Sequence, residues 1–233
     1  MRESAKADHD EINDHHRRMT MTAILSREIP IEPHQSALLF IDVQNFAAKR
    51  NGAEFKEMPP AEFEQKCGWY FQQLESRVIP NMQRLQKAAR TAKIEVMYTT
   101  IESLTLDGRD RSLDYKITGF HVPKGSWDGK VIEELAPQGD EIWLPKTSSS
   151  VFVSTHIDYI LRNLGVKQLI LSGIVTDQCV ESAIRDACDL GYLVTQVTDA
   201  CATYTQERHD FSLRAIKGYC RQRTTDQVIA EIG

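Results

Sequence analysis

Leu169-Ile-Leu-Ser-Gly-Ile-Val-Thr-Asp-Gln-Cys-Val-Glu-Ser-Ala-Ile-Arg-Asp-Ala-Cys-Asp-Leu190 passes from a short apolar run through a glycine into a helical pattern. Leu169, Ile170 and Leu171 are too few for a helix and show no polar alternation. They predict a strand buried on both faces of a parallel sheet and ended by Gly173. Thr176 or Asp177 is placed to cap the following helix, along which Val180, Ala183, Ile184, Ala187 and Cys188 recur at three- and four-residue spacing. Cys179 then falls in the first helical turn. Free amide groups and the positive end of the helix dipole favour a thiolate there, the reactive form of cysteine. A small buried packing residue is the other reading of the same position. Cys188, half a rotation further round, reads as core.

Working outward, Ser36 to Val43 is a second apolar run, and it ends in Asp42, with Gln44 and Asn45 following. A carboxylate at the end of a buried strand is costly unless it faces a polar cleft or a partner, though it also suits an aspartate that caps a turn. Ile94 to Thr99 reads as another strand, and Glu141 to Lys146 as a third that breaks at Pro145, leaving Lys146 just beyond its end. Tyr192 to Val197 and Tyr219 to Arg223 are further strands. Helical periodicity covers Pro60 to Lys93, with a break expected near Pro80, and then His156 to Leu164, Gln206 to Lys217 and Asp226 to Ile232. The alternation of strands and helices predicts a doubly wound, Rossmann-like, mostly parallel α/β sheet of five to six strands with helices on both faces. In such sheets ligands bind outside the carboxyl ends of the strands, so Asp42, Lys146 and Cys179 are expected to meet at one rim. Cys201 lies at the same kind of position and competes with Cys179, but only Cys179 opens a helix. His209 suits a surface or intersubunit position better than that of a base.

The irregular, polar stretch from Ile101 to Ala136 leaves the same edge, and long excursions of this kind commonly carry binding residues. Gln44, Asn45, Tyr98, Trp127 and Gln222 are the candidate substrate-binding residues, each with a plain packing alternative.

Length and composition bound the function. With 233 residues and 41% hydrophobic content, the chain supports one sizeable core, read here as residues 31–233 after a polar arm over residues 1–30. The arm's His15 and His16 are too few to hold a metal, and it reads as an interaction arm or short surface helix. A formal net charge of −5 with no basic stripe argues against nucleic acid, and no apolar run approaches the ~20 residues that span a bilayer. Five cysteines, an odd number without CxxC spacing, and no apolar signal core predict free thiols in the cytoplasm.

With Asp42, Pro145-Lys146 and Gly173-Ile-Val-Thr-Asp-Gln-Cys179-Val in place, the chain resembles the isochorismatase-like hydrolases, also called cysteine hydrolases, from about Ser36 to Arg223. The resemblance implies a dimer or tetramer, a cis peptide at Ile174–Val175, no cofactor and no metal. It also implies a Cys179 nucleophile, an Asp42 base and acid, a Lys146 cation and an oxyanion hole from the Val175 and Cys179 amides. True isochorismatases lack the cysteine, so Cys179 favours the amide-cleaving branch. The Asp-x-His metal motif of nicotinamidases is absent between Val43 and Met97. The segment Lys124-Gly-Ser-Trp-Asp-Gly-Lys130 is most similar to the ureidoacrylate amidohydrolase and biuret hydrolase group, which implies hydrolysis of a small linear amide or ureide. A nicotinamidase-type or other N-carbamoyl amidohydrolase is the alternative within the family, and a non-catalytic binding or scaffold protein the alternative outside it.

Overall fold

A computed structural model describes residues 25–233, so most of the polar arm, with His15 and His16, lies outside the described residues. The elements run β1 (Ser36–Ile41), α1 (Pro60–Gln73), α2 (Ile79–Thr91), β2 (Glu95–Ile101), β3 (Ile142–Lys146), α3 (Ile157–Asn163), β4 (Gln168–Ile174), α4 (Glu181–Asp189), β5 (Leu193–Ala202), α5 (Gln206–Ile216), β6 (Arg221–Arg223) and α6 (Thr225–Ile232), with several single-turn helices between. All six strands pair in parallel in the order β3-β2-β1-β4-β5-β6. This is the doubly wound sheet that the alternation of apolar runs and helical patterns predicts.

Every residue of β1 and β4 is buried, because each face of the sheet is covered. Leu38, Phe40 and Ile170 point to one face and pack with Tyr70, Leu74, Met82 and Leu85 of the α1–α2 segment and Val228 of α6. Leu39, Ile41, Leu169 and Leu171 point to the other and pack with Leu161 of α3, Ile184 and Ala187 of α4, and Ile216 of α5. Burying each such Leu or Ile contributes about 2 kcal/mol relative to leaving it in water. Among the described residues no helix is long and apolar enough to cross a membrane.

Several boundaries differ from the sequence reading: β5 runs on past Val197 to Ala202, β6 begins only at Arg221, and three breakers do not break their elements. The chain does not break at Pro80. A wide π-type turn at Leu74–Val78 joins α1 to α2, and Pro80 sits in the first turn of α2, where its missing N–H costs least. Pro145 does not end β3; the strand runs through it to Lys146, which is tolerated because β3 is an edge strand. Gly173 does not end β4 either. It lies inside the strand opposite Ile41 and Cys201, where a Cβ would fall 2.3 Å from the Ile41 carbonyl oxygen. Only glycine lets β1 and β4 approach this closely, immediately before Asp42 and the turn that carries Cys179.

Candidate active site

β1 and β4 are neighbours, and the strand order reverses between them, which opens a crevice at their carboxyl ends. Asp42 is the first residue past β1. It adopts a left-handed conformation, φ 56°, that aspartate tolerates better than most residues. Its N–H donates to the Thr99 carbonyl at 2.9 Å, and its own carbonyl accepts from Gln44 N–H at 2.8 Å. This turn directs the carboxylate into the crevice.

Lys146 ends β3, which β2 separates from β1, a span of about 10 Å that only a long side chain crosses. Its ammonium, wholly buried, lies 2.9 Å from Asp42 Oδ2, donates to the Ser148 carbonyl at 2.8 Å and stands 3.4 Å from Cys179 Sγ. The contact with Asp42 is an ion pair rather than an aligned hydrogen bond, since Asp42 Oδ2 has no hydrogen-bond partner among the described residues. Thr99 Oγ1 approaches Asp42 Oδ1 at 3.4 Å.

Cys179 lies in a π-type turn, Thr176–Val180, that precedes α4, and the expected capping by Thr176 or Asp177 does not occur. Their side chains brace the turn from outside instead. Thr176 Oγ1 bonds His209 Nδ1 at 2.9 Å, and Asp177 accepts from Thr203 Oγ1 and from Arg208, both at 2.6 Å. The Ile174–Val175 peptide is cis.

Electrostatics run against one expectation. Burial pushes the Cys179 thiol up to about 12, against the pull of Lys146, and so opposes the thiolate that a helix start favours. The ammonium's charge is already matched by Asp42, which leaves little to offset the desolvation of a second anion. Burial raises Asp42 above the ordinary carboxylate range, with Lys146 pulling the other way. For Lys146, burial works downward, but the Asp42 and Cys179 charges prevail and hold it above the normal lysine range. The site therefore holds a carboxyl group, an ammonium and a sulfur together, with the ammonium in contact with the other two.

The five substrate-binding candidates fare differently. Tyr98 is excluded, because strand alternation turns it to the opposite face; there its hydroxyl accepts from Gln86 at 2.7 Å and meets Glu141 at 3.1 Å. The same alternation selects Thr99, one residue on. Gln222 is also excluded: β5 separates its strand from β4, and its amide is bound to the Leu213 carbonyl at 2.8 Å. Gln44 is buried beside the site but fully committed, donating to the Ile101 and Asp128 carbonyls and accepting from Ile101 N–H at 2.6 Å. It is a clamp on the excursion rather than a ligand. Asn45 ties the same excursion by donating to the Trp127 carbonyl at 2.9 Å, and the Trp127 side chain is half-exposed.

Cys201 is buried within β5, away from a helix start, with its thiol pushed by burial up to about 12. His209 is not at the surface: it is buried behind the Cys179 turn. Cys188 is only partly buried and bonds the Tyr219 carbonyl. The sequence reading missed Tyr115, on the one-turn helix Leu113–Ile117; its signal was a lone buried aromatic three residues after a Ser112 cap. Among the described residues no three His, Cys, Asp or Glu side chains converge as a metal site.

The sequence model of the isochorismatase domain matches residues 36–227. The chain is similar to the ureidoacrylate amidohydrolase RutB of Rhizobium rhizogenes, with 29% identity over 188 residues that span 74% of this chain and 72% of that protein. Its fold superposes on a cysteine hydrolase from Pseudomonas syringae pv. phaseolicola with a TM-score of 0.75 at 26% identity, covering 91% of this chain and 98% of the other. An isochorismatase-like hydrolase from Alkaliphilus metalliredigens gives a TM-score of 0.64 at 27% identity, covering 84% and 98%.

Proposed function

Because the chain belongs to the isochorismatase family, we propose that it is a cysteine-dependent amidohydrolase cleaving a C–N bond of a small linear amide or ureide. The observation that carries this reading is the buried contact of Lys146 with both Asp42 and Cys179, 2.9 Å and 3.4 Å away. Similarity to a ureidoacrylate amidohydrolase supports the choice of bond.

In this mechanism Sγ of Cys179 attacks the scissile carbonyl carbon while its proton passes to Asp42. No free thiolate is required, which suits a thiol pushed up to about 12 by burial. The carbonyl oxygen becomes an oxyanion held by the amides of Val175 and Cys179, an effect worth on the order of 3 kcal/mol per donor. The C–N bond then breaks as Asp42 returns the proton to the departing nitrogen, leaving a thioester on Cys179. Water attacks the thioester with its proton going to Asp42, and collapse releases the acid and restores the thiol. Lys146 stays charged throughout and offsets each negative charge formed beside it. The nitrogen leaves as ammonia when the terminal bond of a ureide is cut; when the bond on the other side of the carbonyl is cut it leaves as an amine, and hydrolysis of the carbamoyl thioester releases a carbamate.

The test is ammonia release from a panel of ureidoacrylate, biuret, N-carbamoyl amino acids and primary amides. Turnover of a ureide by the wild type, abolished in a folded Cys179→Ala variant, is expected. Turnover retained by that variant would remove the reading.

A further inference from the structure

Tyr115 is buried, yet among the described residues its hydroxyl has no hydrogen-bond partner. The Ser149 hydroxyl lies beside it without forming an aligned bond. A buried hydroxyl left unpaired is costly, so this group is either a defect or a receptor for something that binds. Its position favours the second. The helix Leu113–Ile117 starts at Ser112, whose Oγ accepts from Tyr115 N–H at 3.2 Å and whose own N–H donates to the Thr147 carbonyl at 2.9 Å. Tyr115 is thereby fastened to the residue after Lys146. Its neighbours Leu113 and Ile117 face outward, so only the tyrosine turns in.

The ring packs on Phe120 with centroids 5.0 Å apart, and Phe120 meets Phe46 edge-on at 4.6 Å. Phe46 follows Asp42 by four residues. Three aromatic rings therefore join the Asp42 loop to the Lys146 loop, in the same apolar cluster as Cys179. Lys146, Cys179 and Asp42 all lie within electrostatic reach of the Tyr115 hydroxyl, and burial, the largest influence, raises its pKa and favours the hydroxyl as a donor.

We propose that the Tyr115 hydroxyl binds a second polar group of the substrate, an amide or carbonyl beyond the scissile one. The assignment rests on the amidohydrolase reading and narrows it. The oxyanion amides lie at the end of β4, while Tyr115 is anchored beside the end of β3, on the other side of β1. A group held by Tyr115 is thus displaced from the carbonyl under attack. A ureide or acyl urea supplies such a group and a simple alkyl amide does not. Tyrosine hydroxyl both donates and accepts, so a carbonyl or an amide nitrogen satisfies it.

The experiment compares wild type with Tyr115→Phe, which removes one oxygen and keeps the ring, on biuret and on propionamide. KM for biuret should rise about tenfold with kcat within about twofold, as expected for one hydrogen bond made equally in ground and transition states, while propionamide kinetics stay unchanged. Binding of biuret to Cys179→Ala, measured by calorimetry with and without Tyr115→Phe, should weaken by the same factor. Unaltered biuret KM and affinity in Tyr115→Phe, or equal losses for both compounds, would overturn the assignment. Turnover persisting in Cys179→Ala would instead sink the proposed function and leave the calorimetric comparison to decide the role of Tyr115.

Discussion

Replacing Lys146 with Met keeps the length of the side chain but removes a wholly buried ammonium that is bound to Asp42, Cys179 and the Ser148 carbonyl. Asp42 is then a buried carboxylate with no cation beside it. Breaking one partner out of a buried pair costs about 3–5 kcal/mol, which for a chain of this size is on the order of 10 °C in melting temperature. The loss depends on pH in a definite direction. Burial already holds Asp42 above the ordinary value of 3.8, and removal of Lys146 raises it further. A carboxylate raised in the folded state stabilises fully below its unfolded pKa, and that contribution disappears as pH climbs through the folded one. Lys146→Met is therefore expected to lose more stability at about pH 8 than at about pH 5, where the folded carboxyl can take up a proton. Urea unfolding of both proteins at the two pH values measures this. The double variant Asp42→Asn, Lys146→Met has neither buried charge and should recover much of the loss. The same penalty at both pH values, or a double variant losing the sum of the two single losses, would refute the reasoning.

Three further outcomes follow from the same geometry. The rate constant kcat/KM should fall as pH drops through the raised carboxyl of Asp42 and show no ascending limb near pH 8.5, where an ordinary thiol titrates, because Cys179 is pushed up to about 12 by burial; an ascent there would mean that a free thiolate is the nucleophile. Gly173→Ala would force a Cβ to within 2.3 Å of the Ile41 carbonyl oxygen. That overpacking should cost about 3 kcal/mol or more in a urea titration and lower kcat by pushing Asp42 and Cys179 apart, whereas a stable, fully active variant would show that close approach of β1 and β4 is not needed. Burial raises the Glu54 carboxyl to about 7, and the Tyr204 hydroxyl donates to it. Its contribution is present below about pH 4.5 and lost as pH rises through 7, so Glu54→Gln should gain about 1–2 kcal/mol over wild type at pH 8 and little at pH 5 in thermal melts.

The fold was legible because apolar runs bounded by glycine and polar residues carry a period that does not depend on context. Leu169 to Leu171 and Ala37 to Ile41 are buried on both faces, as uninterrupted apolar strands must be. Boundaries were less legible, since Pro80 and Pro145 are breakers only where the chain needs their N–H, and an edge strand or a first helical turn does not. Of the pocket candidates, Tyr98 could have been rejected from alternation alone, because Asp42 follows Ile41, which pairs with Thr99 and not with Tyr98.

From the sequence alone came the parallel sheet and the three residues, Asp42, Lys146 and Cys179, that stand at or just past strand ends; both follow from local periodicity and the rule that strand ends form a rim. What those residues are chemically was decided only by the tertiary structure. Protonation depends on how much water is removed and which charge stands nearby, and these arise from contacts between segments well separated in the chain, as between Lys146 and Cys179 or Lys146 and Asp42. Burial pushes the thiol of Cys179 up where the helix-start argument lowers it, and the same packing commits Gln44 to backbone and leaves the hydroxyl of Tyr115 without a partner among the described residues.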